Sequence, residues 1–124
     1  MKWIGRLERI AEERRQGGWR IFRLPSNIWT SASFFKAVRR TLPLDPPLHS
    51  NTVWDALRDS LWSGLDELDD ERIVIVWPNS WVLAICDPWA YKIACDLLSA
   101  VSAQLADAEL TCGKVKDVLI LRGF

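Results

Sequence analysis

The chain has 124 residues, enough for one domain with a substantial core. Its 49% hydrophobic and 26% charged content is that of a globular protein, and its longest apolar run, Trp81 to Cys86, is far too short to span a bilayer. The net charge of zero hides an asymmetry: residues 1–40 hold ten Lys and Arg against three Glu, whereas residues 41–71 hold eight acids against Arg58 alone. An acidic middle segment disfavours nucleic acid there and favours a basic partner, because steering follows the local field. Three cysteines without a CxxC spacing indicate neither a disulfide framework nor a zinc site, and they fit free thiols in a reducing cytoplasm. No apolar stretch of signal-peptide type follows the basic N-terminus. Eight tryptophans are a surplus that leaves some for the surface, where Trp is enriched in binding hot spots.

In chain order, Trp3, Leu7 and Ile10 recur at helical spacing among charged residues up to Arg15, and "QGG" closes the stretch. This is expected to be an amphipathic helical extension, residues 1–17, docked on a domain of residues 18–124 rather than on a membrane. "WRIFRL" (19–24) alternates apolar residues in the manner of a strand, and "PSN" follows as a turn. "TSASFFKAVRRTL" (30–42) opens on capping residues and reads as a helix. "PLDPPLHSN" is a Pro-rich loop that neither continues a helix nor enters a sheet centre.

Further on, "RIVIVW" (72–77) is a continuous β-branched run, the signature of a central strand buried on both faces. "SWVLAICDP" reads equally as a short helix or an extended segment. Asp87 and Pro88 then supply an N-cap and first-turn proline for a long helix to about Leu105. "VKDVLILRGF" carries a third strand, over about 115–121. Strands separated by helices predict an α/β fold, a small three-stranded parallel sheet packed with helices, with 72–77 at its centre.

Between the loop and the central strand lies "TVWDALRDSL" (52–61), a helix expected to start at Ser50 or Asn51. At roughly 100° per residue, Asp55, Asp59, Trp62 and Asp66 fall within about 60° of one another, opposite Val53, Leu57, Leu61 and Leu65. Like charges four residues apart destabilise an isolated helix by about 0.2–0.5 kcal/mol. Only Asp55 lies near enough to the start for the helix dipole to favour it. Either this is a solvated face partly neutralised by Arg58, or the acids serve a partner.

The ordered set "GWRIFRL", "FFKAVRRTL", a loop, Asp55-Ala56-Leu57 with Asp59, "IVIVW" and "DPWAYKIACDLLSAV" resembles the barstar family of ribonuclease inhibitors over about residues 18–122. The resemblance implies a cytoplasmic bacterial immunity protein of the toxin–antitoxin kind, in a 1:1 complex with a basic nuclease toxin. The loop and acidic helix would plug the nuclease active site, carboxylates standing where RNA phosphates sit and accepting hydrogen bonds from phosphate-binding cations. The implied partner surface comprises His49, Asn51, Trp54, Asp55, Arg58, Asp59, Trp62 and Asp66. Arg58 reads equally as a structural partner of Asp55, Trp62 as side-on packing, Trp54 as partly buried at the edge of the apolar face, and His49 as an ordinary loop residue. The family's aromatic and glycine before the helix are missing from "LHSNTVW", Arg58 stands where an aromatic contact occurs, and Ser102 and Ala103 stand where an acid is expected.

One histidine, scattered serines and cysteines in apolar stretches make no catalytic or metal constellation, so neither an enzyme nor a cofactor is expected. The alternative from another class is an RNA-binding module using Trp3, Arg6, Trp19, Arg20 and Arg23, with aromatics stacking on bases. With the inhibitor reading, neither nucleic acid nor membrane is a partner.

Overall fold

The computed structural model describes residues 5–123, so Trp3 lies outside the described residues. The elements run α1 (Arg6–Gln16), β1 (Arg20–Arg23), α2 (Ser31–Thr41), α3 (Trp54–Asp66), β2 (Arg72–Trp77), α4 (Trp81–Cys86), α5 (Pro88–Leu105) and β3 (Asp117–Arg122). The strands form one parallel sheet in the order β1-β2-β3, with Phe22 opposite Ile75 and Ile75 opposite Ile120. This is the α/β architecture and the central strand expected from the pattern of apolar runs.

Side chains alternate across the sheet and enter two separate cores. Ile73, Ile75 and Trp77 of β2 point into the larger one, with Phe34, Phe35 and Val38 of α2, Leu57, Leu61 and Leu65 of α3, and Leu97, Leu98 and Val101 of α5. Val74 and Val76 point the other way, where Ala11, Leu7 and Ile10 of α1 cover them together with Trp19, Ile21, Leu119 and Leu121. The run "RIVIVW" is apolar on both faces because a helix lies on each. Glu8 of α1 pairs with Arg23 of β1 at 3.1 Å, and Arg14 lies over the Trp19 ring at 5.1 Å, so the docking expected of α1 is made by contacts of both kinds.

Local chemistry sets the ends. Thr30 and Ser33 form a reciprocal capping box at the start of α2, and Asp87 accepts from the Ala90 backbone N–H at 3.1 Å to start α5. The ambiguous "SWVLAIC" forms the six-residue helix α4, whose leading Ser80 is buried and donates its hydroxyl to the Gly123 carbonyl at 2.9 Å. Gly123 lies close under α1: a Cβ there would stand 2.5 Å from Leu7 Cδ1, the end of a side chain that can turn aside, and 3.3 Å from the Asn79 backbone nitrogen.

One boundary differs from expectation. α3 starts at Trp54 rather than near Ser50, because the Ser50 hydroxyl accepts from the backbone N–H groups of Thr52 and Val53 and holds 50–53 as a turn. Val53, expected on the apolar face, is the residue before the helix and is 48% exposed.

Candidate acidic interface

The later start of α3 makes Asp55 its second residue, inside the first turn, where the positive end of the helix dipole favours a carboxylate. Asp59 lies one turn on. Both project into solvent, with side chains 88% and 79% exposed. Arg58 sits between them, its Nη2 3.8 Å from Asp55 and its Nε 3.8 Å from Asp59. Those separations are ion pairs and not hydrogen bonds, and the shielded Nε has no hydrogen-bond partner among the described residues. One cation thus serves two carboxylates loosely, leaving net negative charge on the surface.

The loop before α3 is fixed by three devices. The Asp45 N–H donates to the Ser60 carbonyl at 3.0 Å, and the Ser60 hydroxyl donates back to the Pro46 carbonyl. Gly64 lets the Pro43 carbonyl lie against the helix, for an added Cβ would stand 2.2 Å from that oxygen. Arg39 of α2 reaches across to donate to the carbonyls of Leu48 (3.0 Å) and Ser50 (3.3 Å) and to Asn51 Oδ1 (2.6 Å). Asn51 is thereby half-buried and spent on shaping the loop, while His49 stands exposed at its tip.

The remaining expected residues divide. Trp54 is half-buried, edge-on to Phe35 at 4.7 Å between ring centroids. Trp62, placed by helical angle among the acids, packs side-on against the main core, and its indole N–H is shielded from solvent. Asp66, expected to face outward like Asp59, is half-buried with one shielded oxygen, and it borders a separate hollow beside Lys114 and Lys116. The correction has a cause: the segments before β2 and β3 rise beside the end of α3, where buried Lys116 donates to the Leu68 and Asp70 carbonyls at 2.5 and 2.7 Å. Asp55, Arg58 and Asp59 therefore share one surface, with Trp62 at its edge and Asp66 apart from it. Among the described residues the exposed tryptophans, Trp29, Trp81 and Trp89, lie outside this helix.

Two further features escaped the sequence. A half-open groove of about 540 Å³ runs between the loop Asp45–Leu48 and the Ala56, Asp59 and Trp62 side of α3, with Gln104 of α5 at its margin. Beside the loop, a hydrogen bond with Asp45 holds the Glu67 carboxyl above the usual carboxylate range; repulsion from Asp45, desolvation and Asp66 act in the same direction.

Three residues of the RNA-binding alternative, Trp19, Arg20 and Arg23, make contacts within the fold. Trp19 packs under Arg14 in the second core, Arg23 is paired with Glu8, and Arg20 lies 3.8 Å from Asp70. Among the described residues there is no group of three or more His, Cys, Asp and Glu arranged to hold a metal ion, and no helix long and apolar enough to cross a membrane. A family model described as Barstar (barnase inhibitor) matches residues 20–114, from β1 through the segment before β3. Neither the curated proteins nor the solved structures compared with the chain gave a match.

Proposed function

The chain belongs to the barstar family, a family of ribonuclease inhibitors rather than enzymes, and from that premise we propose that it blocks the active site of a basic, barnase-type ribonuclease toxin as the immunity protein of the cell that makes it. The complex is 1:1 and forms in the cytoplasm. The observation that carries this reading is the pair Asp55 and Asp59, projecting at 88% and 79% exposure and served by one shared arginine at 3.8 Å. A nuclease holds phosphates with arginine and lysine. Carboxylates on a rigid helix meet the same cations with charge-assisted hydrogen bonds, and the acidic surface speeds encounter. The loop pinned by Arg39 at Leu48, Ser50 and Asn51 carries the exposed His49. Residues 18–124 form the inhibitor domain, and α1, which precedes the family match, is an extension that covers the back of the sheet.

The test is inhibition of barnase and a panel of barnase-type ribonucleases, with Asp59→Ala as the decisive variant. Truncating one member of a buried charge pair typically costs about 2–5 kcal/mol, mostly in dissociation rate. Stability should change by no more than a few tenths of a kcal/mol, since the lost repulsion from Asp55 and the lost attraction to Arg58 are both small at an exposed site. Inhibition of no member of the panel, or equal inhibition by Asp59→Ala, defeats the proposal.

A further inference from the structure

Trp89 is the second residue of α5, and it serves neither the cap nor a core. Asp87 supplies the cap, Pro88 the first position, and the buried face of the helix begins at Ala90. The indole is left 67% exposed. It does not stand alone. At 100° per residue, Trp89, Ile93, Asp96 and Ala100 fall within about 60° of one another on α5. The last three face Trp54, Asp55 and Arg58 of α3 across a cleft of about 240 Å³. α3 and α5 run in the same direction, since each leads back to the start of a strand in the parallel sheet. Trp89 therefore stands one turn, about 6 Å, beyond Ile93 at the end of the cleft where both helices begin. At that end of α3 the preceding residue is Val53, itself 48% exposed. The acidic surface thus has an apolar margin on both helices.

We infer that Trp89 is an apolar anchor for the partner, buried in the complex against an uncharged patch of the nuclease beside its basic active site. The inference rests on the proposed function for the identity of the partner, and on the α5 stripe for the place. Neighbouring helices lie about 8–10 Å apart. A standard interface takes about 800 Å² from each partner, a footprint about 30 Å across, so one footprint that covers Asp55 also covers Trp89. The two kinds of residue then have different tasks. Exposed carboxylates speed encounter, whereas an indole driven out of water lengthens residence. They also differ in what they read. Every ribonuclease must offer cations to RNA, so carboxylates distinguish one enzyme from another poorly. The surface beside the active site is free of that constraint, and a large rigid side chain tests its shape.

The test uses the full chain and the ribonuclease of the panel that it inhibits best. Trp89→Ala should weaken binding about 30-fold or more, the level of a hot spot, chiefly through faster dissociation. Between about 50 and 500 mM salt this loss should stay constant, while the association rate falls in wild type and variant alike. Trp89→Phe should recover part of the affinity, and an unchanged melting temperature should report an intact fold. Trp81→Ala is the control: this tryptophan is also exposed but lies on α4, whose leading Ser80 is tied to Gly123 after β3. It should bind as wild type does. With 5-fluorotryptophan incorporated, the fluorine resonance that is missing from Trp89→Ala should lose its solvent contact in the complex. Binding by Trp89→Ala within about threefold of wild type, well short of a hot spot, overturns the inference. So does an equal loss in Trp81→Ala. A free chain that is a dimer by light scattering, becomes a monomer as Trp89→Ala and inhibits as before would assign the tryptophan to a second copy and overturn it as well. Inhibition lost in Asp59→Ala but kept in Trp89→Ala refutes the anchor alone, whereas a wild-type chain that inhibits no ribonuclease refutes the proposed function and the anchor together.

Discussion

Replacing Gly64 by alanine perturbs the loop that flanks the acidic surface without touching any acid. A Cβ at this position would lie 2.2 Å from the Pro43 carbonyl oxygen, 2.6 Å from its carbon and 3.0 Å from the Leu44 nitrogen, all backbone atoms. Backbone cannot rotate aside as a side chain can, so the loop must move outward by about an ångström to restore ordinary contact. Overpacking of this kind costs about 1–3 kcal/mol, and a clash against main chain belongs at the upper end. If the shift also breaks the Asp45–Ser60 and Ser60–Pro46 hydrogen bonds, each adds about 1 kcal/mol. Against this stands the better helix propensity of alanine, about 1 kcal/mol. The net loss is about 2–4 kcal/mol, which for a domain of this size lowers the melting temperature by roughly 8–15 °C. Calorimetry, supported by urea unfolding, measures it. Gly17→Ala is the control, since its Cβ would meet nothing closer than 3.4 Å. A Gly64→Ala protein as stable as wild type would show that the loop is not clamped to α3.

Arg39→Ala should cost about 1–3 kcal/mol of stability, because the Leu48 and Ser50 carbonyls and Asn51 lose a charged donor. Hydrogen exchange localised to residues 48–53 checks the mechanism, and unchanged protection there would contradict it. Glu67 gives a pH dependence of defined sign. Its carboxyl is raised chiefly by Asp45, so the fold binds its proton more tightly than the unfolded chain does. Its favourable contribution is present below the ordinary carboxylate range and is lost as pH rises through the raised value. Glu67→Gln should therefore flatten this part of the stability profile and stabilise the fold slightly at neutral pH, as read by urea midpoints from pH 4 to 7. A midpoint that falls at neutral pH contradicts the assignment.

The strands were legible because their signals are local: alternation in "WRIFRL", a doubly apolar run in "RIVIVW" and the late run "VLIL" each mark a strand without reference to neighbours. The start of α3 was misplaced because Ser50, Asn51 and Thr52 are all capping types. The Ser50 hydroxyl instead closes a turn ahead of the helix. Helical angle placed Trp62 and Asp66 beside Asp59, and it does report the direction of a side chain from its own axis. It does not report what other segments rise alongside, and for Trp62 those are the loop and α5, for Asp66 the approach to β3. Arg39 was invisible for the same reason. A basic residue in the last turn of a helix normally satisfies the carbonyls of that helix, whereas this one serves a loop 9 to 12 residues downstream. The nearest available signal was the loop itself, too rich in proline to satisfy its own carbonyls.

The family match begins at residue 20, the first residue of β1, while the second core begins in α1. The segment that matches and the unit that folds therefore have different edges. A fragment that starts at residue 20 keeps the acidic helix and its loop, yet it bares Ile21, Val74, Val76, Leu119 and Leu121 as one greasy plane on a three-stranded parallel sheet. Such a plane invites a second copy, a chaperone or a precipitate. Trimming the chain to the matched segment thus requires carrying along Arg6–Gln16 on one side and the strand Asp117–Arg122 on the other.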